Sequence, residues 1–439
     1  MNESKFFNTI FEKENLTNVY LKYIHFTPST GVDGINANEK YNYESEIALI
    51  IRKVHTRTYK FSKYKEKLIS KGADKYPRVI SIPTVRDRLV LKALHLFLQG
   101  IFPESSKTLI PQIMLDKIKQ DVKKTCFKSF IKIDIKNFYP SIEHDLLLNK
   151  AFKKIKSNEA RDLINKALTN PTGMKANTQG VPQGLSISNI LAEMYVNDVD
   201  STYKSSALIS YNRYVDDILI LSEESRPKIL LDKIINDFES LKLECHHYDN
   251  LGSKTKIGSL NESFDFLGYW VCERRLTVKK ESIWRVENSI AKILNAHKHI
   301  PQAKKYITEN KLNLRITGCI YEGKRRGWLF YYSQMEDETV LYRLDATVKK
   351  LLKQSKLNTI INQKKFSKAY KECARDVIEN HKYIINFDGY TLAEKRSLLS
   401  SYMDVATIEA LTPDTVNSLF TKRVRHLIRD LEEDIRDNS

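Results

Sequence analysis

Residues 211–221 read YNRYVDDILIL: two adjacent aspartates, Asp216 and Asp217, set between apolar runs of the kind that form buried strands. Ionised carboxylates are rarely buried without a partner. The two runs are therefore expected to fold back on each other as strand, turn and strand, with acid at the tip. Taken alone, such a turn is ordinary, because Asp favours turn positions. Its meaning depends on the rest of the chain.

The surrounding pattern is mixed. YPRVISIP (76–83) is β-branched and ends in proline, as a strand and its exit do. TVRDRLVLKALHLFLQGIF then spaces its apolar residues as a helix does. KSFIKIDI (128–135) alternates polar and apolar as a half-buried strand and closes on Asp134. Ile187, Ile190, Leu191, Met194 and Tyr195 mark a helix opening just after the glycine of VPQGLS. A helix follows at about 226–242, then a strand at FDFLGYWVC (264–272), and the chain beyond 280 reads as mostly helical. This order predicts an α+β core with segregated helical lobes. The closing segment, TKRVRHLIRDLEEDIRDNS, reads as an amphipathic helix with a self-association or partner role open to it.

Charge narrows the class of partner. Lys and Arg number 72 against 54 Asp and Glu, a formal net charge of +18 in 439 residues. Such a surplus favours a polyanion, whose counterions are released on binding; an anionic membrane surface is the competing reading. No run of about 18 apolar residues is present to span a bilayer, and the charged N-terminus has no signal-peptide core. A soluble, cytoplasmic protein is expected. The five cysteines are scattered without a CxxC pair, so neither a zinc site nor a disulfide framework is indicated. His246 and His247, being adjacent, are poorly spaced for joint ligation and read as surface residues.

Three segments carry chemistry together: KIDIKNFYPSI (132–142), GVPQGLSIS (180–188) and YVDD (214–217). Phosphoryl transfer to a hydroxyl uses two divalent cations roughly 3.5–4 Å apart. Magnesium is held by one or two carboxylates plus substrate phosphates. An aspartate closing a strand and another on a neighbouring hairpin supply that pair. A glycosidase also uses paired carboxylates, but it requires neither a basic chain nor the PQG loop.

These segments resemble the palm motifs of reverse transcriptases, with YVDD matching their YxDD signature. The similarity runs in order over roughly residues 31–350. GVDGI (31–35) resembles an N-terminal signature of group II intron-type enzymes and their bacterial relatives, retron enzymes among them. KGADKYPRVISIPTVRDRLV (71–90) resembles the fingers, and SKTKI (253–257) with FDFLGYW (264–270) resembles the lysine-bearing motif and primer grip. LNLRITGCIYEGKRRGW (312–328) resembles a segment of bacterial defence-associated, "unknown group" reverse transcriptases. The chain departs from the family before the first aspartate, where SSKTLIPQIMLDKIKQDVKK replaces the usual FGFRxGxS. Neither an RNase H carboxylate pattern nor an HNH endonuclease pattern is seen downstream.

The resemblance implies a right-hand polymerase with fingers, ferredoxin-like palm and helical thumb. Residues 1–125 would form an N-terminal extension and fingers, 126–275 the palm, 276–355 the thumb and 356–439 a helical extension. It implies an RNA-directed DNA polymerase that adds dNTPs to a primer 3′-hydroxyl with two Mg²⁺ ions, or Mn²⁺ in their place. A dedicated non-coding RNA copied in antiphage defence is the implied setting, and a homo-oligomer or accessory protein stays open. Asp134, Asp216 and Asp217 become the catalytic, metal-binding set, with the Ile135 carbonyl as a further ligand. Lys71 and Arg78 become triphosphate contacts, although Lys75 competes with Lys71. Tyr139 becomes the ring that excludes a 2′-hydroxyl, or else a core aromatic beside Phe138. Gln183, Gly184 and Lys254 become nucleotide contacts, Lys254 as the acid that protonates pyrophosphate or else a plain surface lysine. Arg213 is expected to support the hairpin electrostatically. Phe266, Leu267 and Gly268, on the hydrophobic turn that FLGYW presents, become the primer grip, a role compatible with core packing, and Lys324, Arg325 and Arg326 a nucleic-acid contact. A group II maturase, a retron enzyme and a non-templated or tyrosine-primed polymerase remain as rivals.

Overall fold

The computed structural model describes residues 3–25, 27–37, 41–70, 76–106, 110–175, 177–223, 227–250, 252–297, 306–373 and 383–435. The chain divides into two compact units: Met1–Leu109 with Ser129–Gly258, and Ile110–Lys128 with Ser259–Ser439.

The first unit begins with helices and an exposed ribbon of two antiparallel strands, β1 (Lys65–Ile69) and β2 (Arg78–Ile82). The helix Val85–Ile101 follows, started by Thr84, whose side chain accepts from the Asp87 N–H. The centre of the unit is a four-stranded sheet of β3 (Ser129–Asp134), β4 (Ile209–Tyr214), β5 (Asp217–Ser222) and β6 (Lys256–Ser259), in the order β4-β5-β3-β6. On one face Ile131, Ile133, Ile218 and Ile220 enter the main core. They meet Leu191 and Tyr195 of the helix Ser188–Lys204, and Leu231, Ile234 and Phe238 of the helix Lys228–Ser240. Each such side chain contributes about 1.5–3 kcal/mol when fully buried, so the sheet is fixed in register by its apolar face.

The other face carries Lys132 opposite Leu219 and Asp134 opposite Asp217. β3 is not half-buried as its alternation suggested: all six residues are buried, Lys132 at 8% exposure among them. Period-2 hydropathy separates two faces, but it does not say that the polar one is also covered. The helix expected after VPQGLS and the strand–turn–strand around YVDD are both present.

The second unit contains a meander of β7 (Phe264–Phe266), β8 (Tyr269–Cys272) and β9 (Arg275–Val278). FDFLGYWVC is thus a hairpin rather than one strand. Leu267 and Gly268 take positive φ of 45° and 77° and reverse the chain in two residues, the geometry tight hairpins prefer. The helices Lys280–Ala296, Tyr306–Thr317 and Thr339–Gln354 follow. A small sheet also stands in this helical third: β10 (Cys319–Tyr321) lies between β11 (Lys324–Arg326) and β12 (Ile385–Asn386). Tyr321, Phe387, Phe420 and Val424 share a core there with the terminal helix Pro413–Glu432. No helix among the described residues is long and apolar enough to cross a membrane.

Candidate active site

β3 ends on Asp134 and β5 begins on Asp217, and antiparallel pairing sets these two residues directly opposite each other. Tyr214 pairs with Asp217 on the other side, leaving Val215 and Asp216 as a two-residue loop. The Ile135 N–H donates to the Asp216 carbonyl at 3.2 Å, tying the loop to the end of β3. Asp134 is 4% exposed, while Asp216 and Asp217 are half-buried.

Three carboxylates this close repel one another. Burial, then the charge of Asp216, pushes the Asp217 carboxyl up to about 7. Burial likewise raises Asp216, with the charge of Asp134 adding to it and the charges of Lys254 and Arg78 opposing. Asp134 has a nitrogen partner at each oxygen. Lys254 Nζ lies 2.8 Å from Oδ2 and His246 Nε2 lies 3.1 Å from Oδ1. The Thr255 hydroxyl accepts from the Asp134 N–H at 3.3 Å.

His247 is exposed, but His246 corrects the reading of that pair as surface residues. Ile135 bridges to Cys245, and the His246 N–H donates to the Asp134 carbonyl at 3.0 Å, so the backbone carries the imidazole to the carboxylate. This pairing joins residues more than a hundred positions apart and leaves no local pattern to read.

The GVPQG loop links the other candidates. The Val181 N–H donates to the Tyr139 carbonyl at 2.9 Å, and the Ser81 N–H donates to the Gln183 carbonyl at 2.7 Å. Gly184 has a φ of +104°, and a Cβ there would lie 2.7 Å from the Ser81 carbonyl oxygen. Only glycine lets the loop lie against β2, the strand that starts at Arg78. Tyr139 is half-buried, donates to Asn189 Oδ1 at 3.2 Å, and has its hydroxyl pushed up to about 12 by burial and then by Glu193 and Asp216.

One site therefore gathers Asp134, Asp216, Asp217, Lys254, Arg78 and Tyr139, with Gln183 and Gly184 on the loop beside it. Lys71 and its competitor Lys75 lie outside the described residues. Phe266 and Leu267 are buried in the second unit at the β7–β8 turn, where Tyr331 donates to the Leu267 carbonyl. Gly268 closes the same turn and accepts from the Lys279 N–H. Of the basic trio, Arg326 pairs with Glu432, and Arg325 donates to the Cys373 carbonyl and lies over Phe330, while Lys324 is exposed.

Among the described residues, no group of three or more His, Cys, Asp and Glu side chains is arranged to hold a metal ion by itself. The donors present are nonetheless the oxygen ligands a hard divalent cation prefers. That donor set fits a cation whose coordination is completed by substrate phosphates.

Residues 69–271 match the family model described as reverse transcriptase (RNA-dependent DNA polymerase). The chain is 29% identical over 169 residues to the group II intron-encoded protein LtrA of Lactococcus lactis subsp. cremoris, covering 36% of this chain and 28% of that protein. It is 26% identical over 242 residues to the putative COX1/OXI3 intron 2 protein of Saccharomyces cerevisiae, covering 51% and 27%. Protein YkfC of Escherichia coli is 23% identical over 296 residues, covering 56% and 76%. The chain thus spans under a third of the length of the first two relatives. Among solved structures, telomerase from Candida albicans with a fragment of telomeric RNA aligns at a TM-score of 0.44 and 14% identity, over 90% of this chain and 66% of that one. The stretch that holds the carboxylate cluster is a reverse transcriptase domain with homologues among group II intron-encoded proteins. The expected α+β class stands, with helices and sheets in both units.

Proposed function

We propose that this chain is an RNA-directed DNA polymerase that extends a primer 3′-hydroxyl with dNTPs on an RNA template. The observation that carries the reading is the facing of Asp134 and Asp217, with Asp216 on the adjoining turn, inside the reverse transcriptase domain. Two Mg²⁺ ions, or Mn²⁺, held by these carboxylates and the Ile135 carbonyl, would supply charge stabilisation for the in-line displacement. Arg78, beginning the strand that the GVPQG loop packs on, meets the triphosphate with a planar fork suited to phosphate oxygens. Lys71 shares that task, and Gln183 and Gly184 border the nucleotide. Tyr139 excludes a ribose 2′-hydroxyl by the bulk of its ring. Burial works against the charge of Lys254, yet its hydrogen bond to Asp134 and the neighbouring carboxylates hold its pKa above the ordinary value. It therefore arrives protonated, as a proton donor to departing pyrophosphate must.

Under this reading residues 1–125 are the N-terminal extension and fingers, 126–275 the palm, 276–355 the thumb and 356–439 an extension. The β7–β8 turn at Phe266–Gly268 steadies the primer, and Lys324 with its neighbours contacts the nucleic-acid backbone. The antiphage setting, with a dedicated non-coding RNA as template and a cytoplasmic location, rests on the resemblance of residues 312–328 to defence-associated enzymes. The intron-encoded relatives favour a second reading, in which the chain chiefly binds a structured intron RNA and assists its splicing. Primer extension on an RNA template, with sequencing of the RNA that copurifies with the protein, separates the two. Template-dependent DNA synthesis supports the first, and tight intron binding without synthesis supports the second.

A further inference from the structure

Beneath the carboxylate turn lies a buried ion network. Arg213, on β4, is 5% exposed. It donates from Nε and Nη2 to the two oxygens of Asp200, at 2.8 and 2.6 Å, and from Nη1 and Nη2 to those of Glu193, at 3.1 and 2.6 Å. Asp200 also accepts from the Tyr211 hydroxyl at 2.9 Å and pairs with Lys204 at 3.3 Å. Glu193 and Asp200 stand two turns apart on one face of the helix Ser188–Lys204. Buried ion groups of this kind are weak evidence for stability, because desolvation offsets the attraction.

One donor remains. Arg213 Nη1 donates to the Val215 carbonyl at 2.8 Å. Val215 is the first residue of the two-residue loop and has a φ of +58°. A β-branched residue is a genuine outlier there, and the hairpin turns that need positive φ at this position usually place glycine in it. Such strain persists only where the surroundings over-determine it.

We propose that Arg213 is the positioning residue that holds Val215 in the left-handed conformation, anchored to the Ser188–Lys204 helix through Asp200 and Glu193. Pinning the Val215 carbonyl fixes the path of the next residue, whose own carbonyl accepts from the Ile135 N–H. The turn is thereby locked to β3, and Asp217 is kept facing Asp134. The consequence for nucleotide addition rests on the polymerase reading; the consequence for the hairpin does not.

Arg213→Lys keeps the charge and loses the planar fork. Amide hydrogen exchange in residues 209–222 should then accelerate about tenfold or more while the helix Val85–Ile101 is unchanged. kcat for dNTP addition should fall by about tenfold with KM little altered. Adding Val215→Gly to Arg213→Lys should restore most of the exchange protection and of kcat, because glycine needs no restraint at positive φ. Val215→Ala should not, because it keeps the Cβ. Where Arg213→Lys does not fold, Glu193→Gln, at the partly exposed end of the network, takes its place in the same comparison. Unchanged exchange in the Arg213 or Glu193 variant, or identical behaviour of Gly and Ala at 215, overturns the proposal. A wild-type protein that adds no nucleotide would defeat the polymerase reading instead, and the exchange comparison would still decide the role of Arg213.

Discussion

Lys254 and His246 each reach a different oxygen of Asp134, so the carboxylate that closes β3 has basic groups on both sides. Asp217, directly opposite on β5, is governed first by burial and then by the charges of Asp216, Lys132, Asp134 and Lys254. The site is therefore asymmetric: Asp134 has a nitrogen partner at each oxygen, while burial and then the charge of Asp216 push the Asp217 carboxyl up to about 7.

That asymmetry predicts a pH signature. The Asp217 carboxyl rises from 3.8 to about 7 on folding, so the folded chain binds this proton more tightly than the unfolded one. Its stabilising contribution is fully present below pH 4, is lost as pH rises to about 7, and stays lost above. Asp217→Asn has no such proton. Relative to wild type it should gain about 1–3 kcal/mol between pH 4.5 and 8, one pKa unit being about 1.4 kcal/mol before screening is allowed for. Urea unfolding of both proteins at the two pH values, in chelator, measures this. A constant difference would show that Asp217 does not titrate there.

Tyr139 should set sugar selectivity through its ring. Tyr139→Ala should lower the ratio of dNTP to rNTP incorporation by up to about 10²-fold, the scale on which a pocket rejects one hydroxyl. Tyr139→Phe loses only the bond to Asn189 and should keep the ratio. Equal ratios in wild type and Tyr139→Ala would reduce Tyr139 to a core aromatic.

Gly184→Ala should be costly although the added group is one methyl. The positive φ and the approach to the Ser81 carbonyl both oppose it, together about 1–3 kcal/mol. Because the loop packs on β2, the KM for dNTP should rise as well. Denaturant midpoints and dNTP titrations test the two halves separately.

Nucleic-acid affinity should fall steeply with salt, and removing one phosphate contact should lower the slope of log K against log[salt] by about 1. Lys324→Glu is the informative variant. Arg325 and Arg326 are engaged by Cys373, Phe330 and Glu432, so reversing them should lower the melting temperature before it reports on binding. A wild-type slope near zero would mean that the net charge of +18 does not serve nucleic acid.

The parts of this site that were legible in the sequence are those with local causes. Asp216 and Asp217 between apolar runs require a hairpin, an aspartate closes the KSFIKIDI alternation, and glycines mark a loop at 180–184. His246 was hidden because its placement comes from pairing with β3, far away in sequence. Asp200 and Glu193 were hidden because acids on a helix look solvated until β4 brings Arg213 onto them. FDFLGYWVC reads both as a strand and, at FLGYW, as an apolar turn, and the positive φ of Leu267 and Gly268 bears out the turn. β10, β11 and β12 are two or three residues long, too short for any period to show.

The most direct test is primer extension with purified wild type, Asp134→Asn and Asp216→Asn, on an RNA template with Mg²⁺ and dNTPs, after circular dichroism has shown the three proteins equally folded. The polymerase reading requires template-dependent DNA synthesis by wild type. It also requires a loss of about 10³-fold or more in each variant, corresponding to several kcal/mol of charge stabilisation. Synthesis retained in a folded Asp216→Asn protein would contradict it.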